Sequence, residues 1–228
     1  MIVDLIIPAL NEEKAIAVVV QEIPKQLVRE VIVVDNNSTD ATSARAREAG
    51  ATVLLCQEPG YGNACLSGLA YVANKEQHPD VIVFLDGDHS DYPEELPLLL
   101  QEIESGAEVV IGSRALGVSE RGSMTVPQRF GNWLAGVMIH TLYGVKVSDL
   151  GPFRAIRYPT MLDLNMGDRN YGWTAELQVK AAKKKLNMVE VPVSYRNRIG
   201  VSKVSGTVKG SILAGYKIIT TILKYSIR

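Results

Sequence analysis

The fold is decided by residues 81–88, VIVFLDGD, where five consecutive apolar residues lead directly into a pair of aspartates. Unbroken rather than alternating hydrophobicity is typical of a strand that is buried on both faces, as in a parallel sheet. Similar runs lie at 2–7, 30–35, 52–56 and 107–112, with helical patterns between them at 12–23, 40–49, 61–75 and 94–104. This alternation predicts an α/β fold, a doubly wound and mostly parallel sheet with helices on both faces.

Polar residues follow directly after four of these predicted strands. They are Pro8-Ala9-Leu10-Asn11-Glu12, Asp35-Asn36-Asn37-Ser38, Asp86-Gly87-Asp88 and Gly112-Ser113-Arg114. In open parallel sheets, ligands bind beyond the carboxyl ends of the strands. The sequence therefore predicts one binding site at this edge of the sheet.

The alternation stops after residue 115, where a polar loop over 115–124 begins. The remaining patterns predict a helix at 127–142, a strand, turn and strand over 146–157, a helix at 171–185, a strand at 187–195 and a helix at 207–227. In the last helix, an apolar stripe is expected from Ile212, Tyr216, Ile219 and Leu223. We expect one domain over 1–206, divided near residue 114, followed by a basic amphipathic helix over 207–228.

The net charge of −1 conceals an uneven distribution along the chain. Residues 191–228 hold seven Lys or Arg and no acidic residue, whereas the preceding residues hold 17 basic and 25 acidic groups. The near balance excludes a histone-like or acidic disordered protein, and no nucleic-acid partner is expected. The basic end favours contact with something anionic, such as phosphate or a membrane surface.

The cysteines and the hydropathy favour a cytoplasmic setting. Two cysteines, Cys56 and Cys65, are too few for a disulfide framework. The start of the chain lacks the basic region of a signal peptide, and no run of 18 apolar residues predicts a membrane span.

The two aspartates after the fourth strand are candidate metal ligands. Asp86 and Asp88, at i and i+2, can face one small hard cation that neutralises a nucleotide's diphosphate. Without its position after a buried strand, such a pair could equally be part of a solvent-exposed turn that binds no metal. Likewise, Asp35 could accept a base or ribose hydrogen bond, while Ser38 to Asp40 also suit a helix cap.

Several other positions have two interpretations. Gly60-Tyr61-Gly62 could allow close approach of a ligand or form a tight turn. Glu176 could be a first-turn helix acid or a general base aimed at the cleft. Five basic residues could each be a separate solvated charge, or a subset could form a cluster that binds phosphate. They are Arg114, Arg129, Arg154, Arg198 and Lys203.

The ordered set of motifs resembles glycosyltransferase family 2, which has a GT-A fold. The motifs are IIPALNEE, VIVVDNNSTDAT, EPGYGNA, VFLDGDHSDYPEE, GSR and SDLGPFRAIR, and they span nearly the whole chain. Within that family, GSR, RFGNWLA at 129–135, SDLGPFRAIR and the run from Arg198 to Lys203 are most similar to polyprenyl-phosphate sugar synthases of the dolichyl-phosphate mannose or glucose type.

The resemblance implies a role for each matching residue. The nucleotide-binding set would be Pro8, Leu10, Asn11, Glu12, Asp35, Asn37 and Gly62. Asp86 and Asp88 would hold Mg²⁺ or Mn²⁺ on the donor diphosphate, and Arg114 and Arg129 would receive the acceptor's phosphate. A segment with Arg198, Ser202 and Lys203 would close over the donor phosphates.

The implied reaction is inverting transfer of a sugar from a GDP- or UDP-linked donor to a polyprenyl phosphate, at the inner face of the membrane. The alternative is a sugar or small-molecule hydroxyl acceptor, or a glycan, with Glu176 as base. Residues 1–114 would form the half of the domain that binds the nucleotide sugar, and residues 115–206 would form the half that binds the acceptor. The protein could also form homo-oligomers. Two departures from the family pattern are Ser90, where some relatives place a metal-binding Gln, and a chain that stops at Arg228, where many continue into membrane helices.

Overall fold

A computed structural model describes residues 1–200 and 208–226. Its described residues contain one seven-stranded sheet in the order β3-β2-β1-β4-β6-β5-β7. The strands are β1 (Val3–Ala9), β2 (Glu30–Asp35), β3 (Thr52–Leu55), β4 (Val81–Phe84), β5 (Val109–Ser113), β6 (Arg154–Arg157) and β7 (Met188–Pro192). Only β6 among them runs antiparallel to its neighbours, so the predicted mostly parallel sheet is confirmed.

The helices also match the sequence patterns closely. They are α1 (Ile16–Glu22), α2 (Thr42–Glu48), α3 (Tyr61–Ala73), α4 (Leu96–Glu104), α5 (Val126–Tyr143), α6 (Tyr158–Asp163), α7 (Trp173–Lys183) and α8 (Val208–Ser226). A 3₁₀ turn over Pro93–Glu95 precedes α4. The short helix α6 was not predicted, because six residues carry too little periodicity.

The predicted strand at the start of 146–157 is wrong, and only β6 is present there. The amides of Ser148 and Asp149 donate to the carboxylate of Glu190, at 2.9–3.2 Å, instead of to a neighbouring strand. β6 does not pair with the chain just before it, because it inserts between β4 and β5.

The order of the strands fixes where a ligand can bind. After β1 the chain builds β2 and β3 on one side and then crosses to β4 on the other side. Such a switch point leaves a crevice at the carboxyl ends of the two strands where the direction changes. The residues that follow β1, β2 and β4 are those that the sequence singles out as polar.

The core lies on both faces of the sheet. On one face, Leu5, Ile7 and Val83 pack with residues of α1 and α4. On the other face, Ile6 and Phe84 pack with residues of α3 and α7. This double burial explains the unbroken apolar runs that predicted the strands.

A third apolar cluster joins α8 to α5 and α7, and it corrects the predicted face of the last helix. Ile218 and Ile222 pack into this cluster, whereas Tyr216 and Leu223 are 69% and 42% exposed. Apolar residues occur in adjacent pairs at 218–219 and 222–223, so the sequence is compatible with two apolar stripes on neighbouring sides of α8. The stripe that is buried is the one that contacts α5 and α7. The side chain of Ile212 lies outside the described residues.

No helix in the described part of the chain is long and apolar enough to cross a membrane.

Candidate active site

A cleft of about 630 Å³ lies at the switch point. Its floor comes from the ends of β1, β2 and β4, and its walls from α3, α5 and α8. The predicted site residues that line it are Pro8, Leu10, Glu12, Asn37, Asp86, Asp88, Arg114 and Arg198. Folding therefore brings together residues that lie up to 190 positions apart in sequence.

Asp86 and Asp88 are held by different partners in the cleft. The hydroxyl of Tyr61 donates to Asp86 Oδ1 at 3.1 Å. Asp88 is buried, and its Oδ2 lies 2.7 Å from Nη1 of Arg198. Burial and the nearby Asp88 carboxylate raise the pKa of Asp86 to about 6. The pair therefore concentrates negative charge that a cation would offset.

These two carboxylates fit a Mg²⁺ or Mn²⁺ ion. Such ions prefer oxygen ligands, and they are often held by one or two carboxylates together with the substrate's phosphates. Among the described residues, no group of three or more His, Cys, Asp or Glu side chains that could hold a metal ion is present. Ser90 supports Asp88, since its amide donates to Asp88 Oδ1 at 2.9 Å and its hydroxyl donates to the same atom.

Asn11 and Asp35 lie beside the cleft without lining it. The Asp35 carboxylate accepts hydrogen bonds from the Ser38 amide, at 2.8 Å, and from the Ser43 hydroxyl. Asn11 Oδ1 accepts from the Thr39 amide at 2.8 Å. Both side chains thus hold the turn between β2 and α2. The cap expected from Ser38 to Asp40 is not present, because α2 has Ala41 at its N-cap and no side-chain cap hydrogen bond.

Asn36 lines the cleft, although no individual role was predicted for it. Its Nδ2 donates to the carbonyls of Cys56 and Glu58, at 3.1 and 2.7 Å, and its Oδ1 accepts from the Gly60 amide at 2.7 Å. The amide side chain therefore fixes the turn that enters α3. Its position directly after Asp35 was the available signal.

Gly62 is not among the residues that line the cleft, and its contact with the nucleotide stays a prediction. A Cβ at this position would meet the carbonyl oxygen of Asp168 at 2.1 Å. Gly60 does line the cleft, at φ 133°, and a Cβ there would lie 2.2 Å from the Arg169 carbonyl oxygen. Both glycines are needed because the loop at 168–169 packs against this turn.

Arg114 is committed to an ion pair with Asp149, which is fully buried. Its Nε and Nη2 each lie 2.7 Å from a carboxylate oxygen of Asp149. Burial opposes the charge, but the Asp149 carboxylate outweighs it and raises the pKa of Arg114. The guanidinium therefore stays protonated, and its positive charge is already balanced by a buried carboxylate. Asp149 belongs to the quoted SDLGPFRAIR motif, which was the available signal.

A second cavity, of about 720 Å³, adjoins the cleft and shares Arg114 and Asn132 with it. Arg129, which is exposed, lines this cavity rather than the cleft. The other lining residues include the basic Lys146, the ring of His140, and the apolar side chains of Trp133, Val137 and Met124. This combination suits a ligand with an anionic group and an apolar part.

The interpretation of Glu176 as a base aimed at the cleft is not supported by its surroundings. Glu176 is fully buried, and its carboxylate accepts from the amides of Gly167 and Asp168 at 2.6–3.1 Å. Lys180 Nζ lies 2.8 Å away, and the hydroxyl of Tyr225 donates to Oε1. Burial raises the pKa of Glu176, but these donors outweigh it and lower the pKa below 4.5.

Ser202 and Lys203 lie outside the described residues. The other member of that group, Arg198, reaches the cleft and pairs with Asp88. The backbone just beyond it is also held, since the Ile199 amide donates to the carbonyl of Asp88 at 3.0 Å.

Comparison with known proteins agrees with this geometry. A model of glycosyl transferase family 2 matches residues 4–161. An uncharacterised glycosyltransferase of Mycobacterium bovis is 35% identical, over 93% of this chain and 94% of the relative. A dolichyl-phosphate hexose transferase of Haloferax volcanii is 32% identical, over 96% and 92%. The crystal structure of glucosyl-3-phosphoglycerate synthase from Mycobacterium tuberculosis with Mn²⁺, UDP-glucose and phosphoglyceric acid has a TM-score of 0.76 at 23% identity, over 98% and 79%.

The fold is of the GT-A type, and together with the family match it defines a GT-A glycosyltransferase. The chain belongs to glycosyltransferase family 2.

Proposed function

We propose that the protein is an inverting, metal-dependent glycosyltransferase that moves a sugar from a GDP- or UDP-linked donor to a polyprenyl phosphate. The observation that carries this proposal is the second cavity, which combines cationic and apolar side chains and shares the lining residues Arg114 and Asn132 with the donor cleft. A similar protein of Haloferax volcanii is named a dolichyl-phosphate hexose transferase. A phosphate on an apolar chain is the acceptor that these linings would suit best.

On the donor side, Asp86 and Asp88 would hold Mg²⁺ or Mn²⁺ against the diphosphate of the donor. The bound ion would stabilise the negative charge that develops on the departing nucleoside diphosphate. Arg198 lies at the same place and would bind the same phosphates. The M. tuberculosis structure with Mn²⁺ and UDP-glucose shares this fold.

The transfer is a single displacement at the anomeric carbon. A phosphate oxygen of the acceptor forms the new bond from one side, while the bond to the diphosphate oxygen breaks on the other, which inverts the configuration. The attacking phosphate is already an anion at neutral pH, so no general base is required. This agrees with a Glu176 that is buried away from the cleft. A hydroxyl acceptor with Glu176 as base is the less supported alternative.

An exposed apolar stripe on α5 supports contact with a membrane surface. Val126, Phe130, Trp133 and Val137 are 80%, 60%, 61% and 44% exposed, and their spacing places them on one side of the helix. From Arg121 to Lys146 the chain contains no acidic residue. Apolar side chains among cations are suited to an anionic bilayer surface, where the acceptor's phosphate would lie.

The first test compares acceptors. We expect Mn²⁺-dependent transfer from a GDP- or UDP-sugar to a short polyprenyl phosphate, and loss of transfer in Asp88→Asn. A matched control is Asp163→Asn, because that carboxylate is 64% exposed on α6 and contacts Lys184 instead of the cleft. Transfer to free sugars but not to polyprenyl phosphate would overturn the proposal.

The second test concerns the membrane. Trp133→Ser combined with Phe130→Ser should reduce sedimentation with anionic phospholipid vesicles, while Leu98→Ser should not, since Leu98 is similarly exposed, at 43%, on α4. Equal binding by all variants would contradict this role of the stripe. The stripe could instead be covered by a second copy of the chain, which sedimentation velocity of the protein without vesicles would detect. If the wild type is a dimer and the double variant is not, the stripe serves self-association.

A small phosphorylated acceptor is the second candidate. The same cations, Arg129 and Lys146, would bind it, and the M. tuberculosis structure contains phosphoglyceric acid. It would make no use of Trp133 and Val137. Transfer to 3-phosphoglycerate with none to the polyprenyl phosphate would favour this candidate.

A further inference from the structure

We propose that α8 is a wall of the cleft and that its Lys217 and Tyr225 are positioning residues for the donor-binding turn at Gly60–Gly62. This proposal rests on the proposed function in one respect only, which is that the ligand of the cleft is a nucleotide sugar. It assigns Lys217, in the basic end of the chain, to the catalytic domain rather than to a membrane.

A polar stripe of α8 faces the segment at 167–176. Lys217 Nζ lies 3.0 Å from Asp168 Oδ2, and the Tyr225 hydroxyl donates to Glu176 Oε1. Between them, Thr221 is buried against Gly172, where a Cβ would come within 2.6 Å of the Thr221 hydroxyl oxygen. The three side chains are four residues apart, so they lie on one side of the helix.

The two carboxylates that α8 contacts also organise the backbone of this segment. Asp168 accepts from the amides of Asn170 and Gly172, at 2.8 and 3.1 Å. Glu176 accepts from the amides of Gly167 and Asp168. Each carboxylate thus connects α8 to the loop at 167–172. Charge-assisted hydrogen bonds of this kind are stronger than neutral ones.

The loop in turn supports the start of α3. Its carbonyls at 168 and 169 lie directly against Gly62 and Gly60, and the Asn63 amide donates to the Arg169 carbonyl at 3.0 Å. Between the glycines, Tyr61 bonds the candidate metal ligand Asp86. A continuous series of contacts therefore runs from α8 to the metal-binding end of the cleft.

The helix also lines the cleft directly, through Gly215 and Ile218. Displacement of α8 would therefore remove part of the wall and loosen the turn at the same time. Lys217 and Tyr225 would act through the loop, since neither lines the cleft.

The test measures hydrogen exchange of the peptide that contains Asn63, in the full chain without ligand. Lys217→Met should speed exchange of the Asn63 amide about two- to fivefold, as expected for a partly exposed ion pair. Tyr225→Phe should speed it about tenfold, because a buried carboxylate loses a donor. Lys217→Arg should restore the wild-type rate. Lys25→Met, at an exposed lysine between α1 and β2, is the charge-matched control and should change nothing.

Titration with GDP or UDP and Mn²⁺ gives a second measurement on the same proteins. We expect weaker nucleotide binding in Lys217→Met and Tyr225→Phe, and wild-type binding in Lys217→Arg. Unchanged exchange at Asn63 in both variants would overturn the proposal. Absence of nucleotide binding in the wild type would instead refute the proposed function, and the exchange result would still decide the role of α8.

Discussion

Replacing Gly62 by alanine distinguishes two roles for this residue, contact with the nucleotide or contact with the loop at 168–169. The added Cβ would lie 2.1 Å from the Asp168 carbonyl oxygen and 2.7 Å from the Arg169 carbonyl carbon. Both are backbone atoms, so no side-chain rotation can relieve the clash. The loop would have to retreat by roughly 1 Å, and overpacking of this kind costs about 1–3 kcal/mol.

Part of that cost is offset by the helix itself. Gly62 is the second residue of α3, so Gly→Ala there contributes less than the roughly 1 kcal/mol that it contributes in a helix interior. The net loss of unfolding free energy should therefore be about 1–2 kcal/mol. For a chain of this size, that lowers the Tm by roughly 2–8 °C.

The assay is urea denaturation followed by circular dichroism, with nucleotide titration on the same samples. Gly131→Ala is the control for stability, because Gly131 lies inside α5 with nothing within 4 Å of an added Cβ. That variant should be at least as stable as the wild type. If Gly62→Ala keeps full stability but loses nucleotide binding, the glycine faces the ligand and the packing argument is refuted.

Glu176→Gln should lower stability by about 1.5–3 kcal/mol at neutral pH, and it should weaken nucleotide binding as Tyr225→Phe does without abolishing transfer at saturating donor. Because the pKa of Glu176 is lowered on folding, its contribution to stability is present above pH 4.5 and is lost as the pH falls further, so the urea midpoints of wild type and variant should converge in acid. Gly215→Leu extends into open space at the cleft wall, and it should weaken binding of the nucleotide sugar about tenfold or more by steric exclusion, without lowering the Tm. Arg114→Ala leaves the buried Asp149 carboxylate unpaired and should cost about 3–5 kcal/mol, whereas the exposed Arg129→Ala should change stability by less than about 0.5 kcal/mol. Similar denaturation midpoints for the last two variants would contradict the ion-pair geometry.

The sequence predicted the sheet well because burial on both faces leaves a local signature. Val81 to Phe84 are all buried, and such a run can be recognised without knowledge of its neighbours. The same holds for the two aspartates that follow, because a residue directly after a parallel strand must lie at the carboxyl edge of the sheet. The placement of Asp86 and Asp88 in one cleft was therefore predictable.

Residues whose role depends on a distant contact were not predictable in this way. Nothing in the sequence indicated that Gly62 packs against a loop more than 100 positions later in the chain. The face of α8 was placed one residue away from its true position, because its apolar residues occur in adjacent pairs and only α5 and α7 decide which of them packs. No periodicity within a segment can contain that information.

The chain by itself determined the α/β class, the edge of the sheet where ligands bind and the paired carboxylates, since each follows from the pattern of burial and chemistry along a single element. The tertiary structure alone decided which charges are free to act. Arg114 is paired with Asp149, Glu176 is enclosed by donors, and Lys217 is paired with Asp168. The physical reason is that the availability of an ionisable group depends on its partner and its burial, which are set by contacts between distant parts of the chain.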